Sequence, residues 1–469
     1  MAAVRLAWFA PMPPPDGRVP TDLSAAALPR LAADHDIDVF AGSADEARAW
    51  AAWDLPVHDA YDFVWRSQQR RYDLVVYQLS NEPRHDYVWG YLWHEPGLIV
   101  LQDVHLHHAR ARILLDGRET RIADYAEELE YDHAVQPGVG GSLAAFTGTV
   151  LHVWPMRRAV IAAARTVAVH SEMLAGELRH EAPAADVAFI RPGVADPGVH
   201  TILRSSPGAR EWRRRLSLPA EATVVAMFGP FTRSRRVSET IRAMAALRES
   251  DPGLHLLLVG PATGECDPLG EARTAGVLSR LRLTGAVPEA QMPEVLGAAD
   301  IAICSRWPTA AETPAQWLTC LACGLPAIVT DAAHNADLPV LDPRTSTVHH
   351  SGRGAYAPEP IAVIVDLLDE VETLRLAMRR LSGDPSLRQS IGRAGRAWWA
   401  THHTPDAMAD DYRAAIARAA ARPEPDVPAP AHLHPDVFRH TRALLASIGA
   451  RLPAELEPPA ATPARTRQE

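Results

Sequence analysis

The feature that most constrains the fold is a repeated alternation of short apolar runs with amphipathic stretches. In the first half of the chain six apolar runs predict strands, at Val4–Phe9, Asp38–Phe40, Leu74–Tyr77, Leu98–Gln102, Thr166–Val169 and Val187–Ile190. The amphipathic stretches between them predict helices, such as 22–33, 121–133, 154–164 and 172–180. Apolar strands separated by helices predict a parallel sheet that is covered on both faces.

The same alternation restarts after Pro192. Five further runs predict strands, at Thr223–Phe228, Leu254–Val259, Leu281–Thr284, Ile301–Cys304 and Ala327–Thr330. A chain of 469 residues is too long for one core and suits two or three α/β units with extensions. We therefore predict an α/β protein with two doubly wound, Rossmann-like domains that face a cleft, because open sheets of this kind bind ligands at the carboxyl ends of their strands.

The predicted domain organisation follows this restart. It comprises a first domain at 1–195, a linker at 196–221, a second domain at 222–403, a helix returning to the first domain at 404–422, and a Pro-rich tail with a short helix at 423–469.

Composition excludes several classes of function. The net charge of -10 argues against nucleic acid as the main partner, because proteins that bind phosphate backbones carry a basic excess. Four cysteines in a chain of this length do not form a disulfide framework, which favours a reducing, cytoplasmic location. Neither a secretory signal nor a transmembrane segment is expected from the apolar runs. Peripheral membrane contact and the oligomeric state stay open.

The most informative segment is 301–331, IAICSRWPTAAETPAQWLTCLACGLPAIVTD. It reads as a strand, a polar turn that contains Arg306 and Glu312, a helix, and another strand. A helix that begins at the end of a strand directs backbone N–H groups into the cleft, where they suit a phosphate or a sugar hydroxyl. Glu312 is equally well explained as a ligand of hydroxyl groups or, with Thr313, as a cap of the helix.

This segment resembles the C-terminal domain of the family-4 retaining glycosyltransferases. The hallmark of that domain is a Glu, seven residues, a second Glu, and a small-residue helix before Gly-x-Pro, which is Gly324-Leu325-Pro326 here. The stretch 224–260 is similar to the same family, and the likeness extends over about 70–420. The resemblance implies a GT-B fold and a hexosyltransferase without a metal or other cofactor. Such an enzyme moves a sugar from a nucleotide-diphosphate sugar to an acceptor hydroxyl with retention, in polysaccharide or glycoconjugate synthesis. The acceptor is unknown.

The resemblance also implies which residues bind the donor. Arg235 lies at the spacing from Gly229 where the family carries a diphosphate-binding Lys, and Arg236 follows it. A guanidinium suits phosphate because it is a planar fork of donors that stays charged. A solvated basic turn is the alternative. Thr309 and Thr313 complete the implied donor site.

In the first domain the segment 96–108, PGLIVLQDVHLHH, resembles the family strand that ends in His-Asp. The His position is Gln102, but Asp103 and His107 are kept. The implied catalytic set is therefore Glu312 for the donor sugar, with Asp103 and His107 facing the acceptor. A purely structural explanation is also open for these residues. Asp103 would then cap a helix, and the histidines would form a polar cluster on the surface. A zinc site at His105 and His107 lacks further ligands at suitable spacing.

Three departures leave a second function open. Pro230 replaces the usual Arg, either Thr319 or Cys320 replaces the second Glu, and the Pro-rich stretch 11–17 replaces a Gly-rich loop. The alternative is a catalytically degenerate glycosyltransferase-like protein that serves binding or assembly. A nucleotide-sugar epimerase is a further rival, but no convincing acid/base pair is evident.

Cys320 and Cys323 are expected to fill the core, and Ser171 is expected to cap a helix.

Overall fold

A seven-stranded parallel sheet forms the first half of the chain. The computed structural model describes residues 4–11, 26–50, 54–116, 121–133, 150–198, 206–288, 291–311, 315–332, 335, 338–349, 359–425, 430–433, 445 and 448–450. The strands lie in the order β3-β2-β1-β4-β5-β6-β7. They are β1 (Arg5–Phe9), β2 (Asp36–Ala41), β3 (Val57–Asp59), β4 (Leu74–Leu79), β5 (Leu98–Leu101), β6 (Thr166–Val169) and β7 (Val187–Phe189).

Helices connect these strands. They are α1 (Leu28–Leu31), α2 (Ala44–Ala49), α3 (Phe63–Gln69), α4 (His107–Leu115), α5 (Ile122–His133), α6 (Val150–Val153), α7 (Arg158–Ala163) and α8 (Glu172–Glu181), with 3₁₀ turns at Ala60–Asp62 and Pro83–Gly90. The single helix predicted at 154–164 is wrong at its start. Pro155 is followed by Met156 with a φ of 45°, so the helix begins only at Arg158.

An eight-stranded sheet forms the second half, in the order β10-β9-β8-β11-β12-β15-β13-β14. Its strands are β8 (Thr223–Phe228), β9 (Leu254–Val259), β10 (Leu281–Leu283), β11 (Ile301–Cys304), β12 (Ala327–Thr330), β13 (Val340–Leu341), β14 (Val348–His349) and β15 (Ala362–Val365). The pairs are parallel except for β13 with β14. The central strands β8 and β9 are buried over nearly their whole length, which explains their continuous apolar sequences.

The helices of the second half cover both faces of this sheet and extend beyond it. They are α9 (Pro207–Arg215), α10 (Val237–Ala246), α11 (Pro268–Thr274), α12 (Met292–Gly297), α13 (Ala315–Cys323), α14 (Glu370–Gly383), α15 (Pro385–His402) and α16 (Pro405–Ala420), with 3₁₀ turns at Arg233–Arg235, Leu278–Arg280, Leu367–Asp369 and Ala431–Leu433. Within the described residues no helix is both long and apolar enough to cross a membrane. Most of the helix expected in the tail lies outside those residues.

The last long helix, α16, lies against the first sheet. Tyr412 of this helix packs on Trp8 of β1, with ring centroids 5.2 Å apart. The chain reaches α16 beside the segment that leaves the first sheet, and Val194 N–H donates to the His403 carbonyl at 3.0 Å. A Cβ on Gly193 would lie 2.6 Å from the Thr404 carbonyl oxygen, so this close crossing requires glycine.

The strand order of the second sheet predicts where a ligand-binding crevice lies. The chain runs outward from β8 to β9 and β10 on one side, and from β11 to β12 on the other. Strand order therefore reverses between the neighbours β8 and β11. Open α/β sheets bind ligands outside the carboxyl ends of the strands at such a reversal. The segments that follow Phe228 and Cys304 are the ones that meet there.

Candidate functional site

Gly229 and Arg235, two of the predicted donor-binding residues, follow β8 and share a contact with one residue of α13. Arg235 Nη1 donates to Gln316 Oε1 at 2.6 Å, and Gln316 Nε2 lies 3.5 Å from the Gly229 carbonyl oxygen. Gln316 is the second residue of α13, so the turn after β8 and the helix after β11 are joined. The predicted donor residues Gly229 and Arg235 are therefore brought together at the reversal between β8 and β11.

Backbone crowding keeps this end of the sheet narrow. Gly260, at the end of β9, has a φ of +129°, and a Cβ there would lie 3.1 Å from the Gly229 Cα. A side chain is excluded at Gly260 by both the backbone angle and the space. No side chain therefore separates the Gly229 backbone from Gly260 at the end of β9.

Arg236 forms an ion pair that links two helices of the second domain. It adopts the left-handed conformation, with a φ of 60°, and immediately precedes α10. Its Nε donates to both carboxylate oxygens of Glu370 at 3.0 Å, and its Nη2 also contacts Glu370 and lies 3.2 Å from Glu239. The Glu370 side chain is 5% exposed, so the pair ties α10 to α14. The guanidinium takes part in this pair, and the predicted contact of Arg236 with the donor stays a prediction.

The turn between β11 and α13 touches both domains. Trp307 N–H donates to the Ser234 carbonyl at 2.8 Å, which links the turn to the segment that carries Arg235. On the other side, His105 N–H of the first domain donates to the Ala310 carbonyl at 3.0 Å. Thr309 Oγ1 accepts from Ala311 N–H at 3.0 Å and holds the turn. Glu312 and Thr313, which follow, lie outside the described residues, so their predicted roles stay predictions.

Asp103 follows β5 and braces the loops at that edge of the first sheet. Its Oδ2 accepts from Ser80 Oγ at 2.7 Å and from Asn81 N–H at 2.6 Å. Asn81 Nδ2 in turn donates to the His105 carbonyl at 2.6 Å. These bonds hold the loop that reaches the second domain through His105. A role of Asp103 toward the acceptor stays a prediction.

His107 does not face the cleft. It is the first residue of α4 and is fully buried. Its Nδ1 donates to the Trp154 carbonyl at 3.0 Å, and its Nε2 is 2.6 Å from the Tyr125 hydroxyl. Both ring nitrogens are thus used inside the first domain. These contacts give His107 a structural role, and its predicted contact with the acceptor stays a prediction.

The positions that depart from the family pattern carry no replacement chemistry. Gln102 stands where the resemblance expects a His, and its Nε2 donates to Gln78 Oε1 at 2.9 Å. Thr319 returns its hydroxyl to the Ala315 carbonyl at 3.0 Å, within α13. Cys320 is fully buried, as expected of a core cysteine. No carboxylate therefore takes the place of the second Glu at these two positions.

A cavity of about 220 Å³ lies between the two domains. The first domain contributes residues at the carboxyl ends of β5, β6 and β7, and the second contributes residues of α13 and α15. Ser171 lies at its edge and caps α8, with Leu174 N–H donating to its Oγ at 3.4 Å, so the expected cap is confirmed. A nearby polar residue, Arg191, is held by Asp411 of α16, with Nε–Oδ2 and Nη2–Oδ1 distances of 2.7 Å.

One group of potential metal ligands occurs among the described residues. A nitrogen or carboxylate oxygen from each of Asp124, Glu127 and His432 lies within 4.8 Å of the others. His432 Nδ1 is already 2.9 Å from Glu127, and its Nε2 is 2.8 Å from Glu128. Although burial opposes it, hydrogen bonds to Glu128 and Glu127 raise the pKa of His432. A protonated imidazole between carboxylates explains this cluster without a metal.

Residues 222–348 match the family model described as glycosyl transferases group 1. The matched residues lie in the second half of the chain. This segment contains both loops that meet at the reversal between β8 and β11. The match supports the prediction of a glycosyltransferase.

Solved structures with the same fold cover nearly the whole chain. The HepE protein of Anabaena, in complex with UDP and glucose, has a TM-score of 0.57 at 13% identity and covers 88% of this chain and 99% of its own. Sucrose-phosphate synthase of Thermosynechococcus elongatus has a TM-score of 0.56 at 16% identity and covers 88% and 99%. Likeness at this identity shows the fold alone. The predicted fold, two Rossmann-like domains of the GT-B type, is confirmed.

A curated relative shares part of the sequence. The D-inositol 3-phosphate glycosyltransferase of Segniliparus rotundus is 31% identical over 237 residues, which is 49% of this chain and 48% of that protein. This chain thus spans about half the length of the curated relative that it matches.

Several residues of the site were not predicted. Gln316 bridges Arg235 and Gly229. The sequence feature that could have identified it is its position at the start of the helix that follows the turn. His170, Trp317 and Trp398 line the cavity between the domains. They are far apart in sequence, so only the packing of the domains brings them together.

Proposed function

We propose that the chain is a glycosyltransferase that moves a hexose from a nucleotide-diphosphate sugar to an acceptor hydroxyl, with retention at the anomeric carbon. The single observation that carries the proposal is the position of Arg235, joined through Gln316 to the Gly229 backbone at the reversal of the second sheet. The group 1 glycosyltransferase domain spans the same loops. The UDP and glucose named for the Anabaena structure support a nucleotide donor.

The proposed role of Arg235 is electrostatic stabilisation of the leaving diphosphate. When the sugar leaves, the diphosphate oxygen gains negative charge, and a fixed cation lowers the energy of that transition state. Arg235 remains charged at any physiological pH and presents parallel donors to phosphate oxygens. In this proposal Glu312 binds hydroxyls of the donor sugar, and the acceptor approaches from the first domain. No side chain serves as a covalent nucleophile.

The setting we propose is the cytoplasm. All four cysteines are free thiols, which fits a reducing compartment. The product would be a polysaccharide or a glycoconjugate.

A degenerate scaffold is the second candidate, and specific contacts favour it. Gln102, whose Nε2 donates to Gln78, stands where the family carries a His. Pro230 and either Thr319 or Cys320 stand where the family carries charged residues. A protein of this kind would keep the fold for binding or assembly while lacking turnover.

Calorimetric titration with UDP, GDP and ADP tests donor binding. We expect one of them to bind, and Arg235→Ala to weaken it about ten- to hundredfold, since one charge-assisted hydrogen bond contributes about 1.5–3 kcal/mol. The matched control is Arg233→Ala, which removes an exposed arginine of the same turn that contacts Glu265 instead. Equal affinities for the wild type and the Arg235 variant would refute the assigned role.

A further inference from the structure

Gln316 lies between the two loops that meet at the reversal of the second sheet. It is the second residue of α13, the helix that follows β11, and both Gln316 and Arg235 are half-buried. Gln316 Oε1 accepts from Arg235 Nη1 at 2.6 Å, and Gln316 Nε2 lies 3.5 Å from the Gly229 carbonyl oxygen. One carboxamide therefore contacts both of the predicted donor residues that follow β8.

The chemistry of the two partners determines which end of the carboxamide faces which. A guanidinium has only N–H donors, and a backbone carbonyl oxygen can only accept. The amide oxygen of Gln316 must therefore face Arg235, and its amide nitrogen must face Gly229. A glutamine supplies an acceptor and a donor on one side chain, whereas a glutamate would place a carboxylate oxygen against the Gly229 carbonyl oxygen.

The contact with Gln316 orients the Arg235 guanidinium without reducing its positive charge. Hydrogen bonds from a charged donor are short, as the N–O distance of 2.6 Å is here. The amide partner is neutral, so this bond does not weaken the attraction of the guanidinium for an anion. A carboxylate in the same place would form an ion pair with Arg235 and offset that attraction.

The backbone around Arg235 is held independently of Gln316. Trp307 N–H donates to the Ser234 carbonyl at 2.8 Å, and Arg235 N–H donates to the Thr232 carbonyl at 3.1 Å. Because these bonds fix the backbone, the flexible side chain of Arg235 is the part that Gln316 restricts. A cation that is oriented before the ligand arrives loses less side-chain entropy on binding.

We propose that Gln316 is a positioning residue for the diphosphate of the donor. It holds the Arg235 guanidinium at the reversal between β8 and β11 and leaves its positive charge for the phosphate oxygens. This inference rests on the proposed function, in which Arg235 binds the diphosphate. Gln316 acts through Arg235, so its contribution depends on the presence of that side chain.

Calorimetric titration of the full chain with UDP, GDP and ADP tests this role. Gln316→Leu removes both polar ends of a side chain of similar size. For the nucleoside diphosphate that the wild type binds, this variant should raise the Kd about three- to tenfold, the effect of one hydrogen bond.

Gln316→Glu separates positioning from a purely structural tie. It keeps an acceptor for Arg235 but pairs the charge of the guanidinium, so it should raise the Kd more than Gln316→Leu does, at least about tenfold. If Gln316 only joined the two loops, the glutamate would keep the bond to Arg235 and bind the nucleotide more tightly than the leucine variant.

A double-mutant cycle shows whether Gln316 acts through Arg235. In the Arg235→Ala background, Gln316→Leu should change the Kd by less than about twofold, because the group that it orients is gone. The matched control is Gln291→Leu. Gln291 is exposed before α12 and its side chain does not cap that helix, so this variant should bind like the wild type.

The inference is overturned if Gln316→Leu binds as tightly as the Gln291 control, or if Gln316→Glu binds more tightly than Gln316→Leu. It is also overturned if Gln316→Leu weakens binding equally with and without Arg235. Nucleotide binding that depends on Arg235 but not on Gln316 defeats this inference alone. Absence of nucleotide binding by the wild type, or equal affinities of the wild type and Arg235→Ala, defeats the proposed role of Arg235 and this inference with it.

Discussion

Replacement of Arg236 by Ala should destabilise the fold without weakening donor binding. Arg236 Nε lies 3.0 Å from both oxygens of Glu370, whose side chain is 5% exposed. The variant would leave that carboxylate buried without its cation. Loss of one partner from a fully buried pair costs about 3–5 kcal/mol. Because Arg236 is itself 23% exposed, water can partly reach the site, and we expect about 2–3 kcal/mol.

Thermal melting measures this effect. At about 2–4 °C per kcal/mol for a domain of this size, the Tm should fall by about 4–12 °C. The affinity for the bound nucleoside diphosphate, measured below the Tm, should stay within about twofold of the wild-type value. Arg242→Ala is the matched control, because Arg242 is 60% exposed and pairs with the neighbouring Glu239.

A second substitution separates charge from packing. Glu370→Gln in the Arg236→Ala background removes the unpaired charge and should restore part of the lost Tm. An unchanged Tm in Arg236→Ala, together with a clear loss of nucleotide affinity, would refute the structural role and return Arg236 to the donor site.

Two further predictions concern stability. Gly193→Ala should lower the free energy of unfolding by roughly 1–3 kcal/mol, and with it the Tm, because the new Cβ would lie 2.6 Å from the Thr404 carbonyl oxygen. The control is Gly176→Ala in α8, where the new Cβ meets open space and the Tm should not fall. Equal Tm values for the two variants would contradict the close crossing at Gly193. Burial alone would raise the pKa of Asp38, but hydrogen bonds from His58 and Tyr72 lower it to about 2. Its folded pKa is thus below the unfolded value, so its contribution is present above about pH 5 and is lost toward pH 2. The difference in urea midpoint between wild type and Asp38→Asn should shrink over that range, and a constant difference would count against the pairing.

The sequence predicted the central strands well, because a strand buried on both faces must be apolar along its length. Thr223–Phe228 and Leu254–Val259 were predicted with the observed bounds. Short edge strands such as Val57–Asp59 and Val340–Leu341 were not predicted, since two or three residues carry too little periodicity. The domain divisions at 195 and 222 stay predictions.

The structure of the candidate site was predictable where local spacing determines position, as for Arg235 near Gly229; that these residues bind the donor stays a prediction. It was not predictable where long-range contacts decide. Arg236 and His107 are of the expected residue types, but partners distant in sequence, Glu370 and Trp154, take up their polar atoms. The cavity between the domains depends on α15 lying against the segment that follows β7, where Trp399 Nε1 donates to the Val194 carbonyl at 3.2 Å, a contact that no local pattern encodes.

Release of nucleoside diphosphate from UDP-, GDP- and ADP-sugars, with the Tm measured on the same preparation, tests the proposed transfer most directly. We predict turnover of one donor by the wild type. Glu312→Gln should lower this turnover at least tenfold, about 1.4 kcal/mol of transition-state stabilisation, with a nearly unchanged Tm. An unchanged rate in this variant would remove Glu312 from the site. The absence of turnover by the wild type with every donor would contradict the transferase proposal and favour the degenerate scaffold.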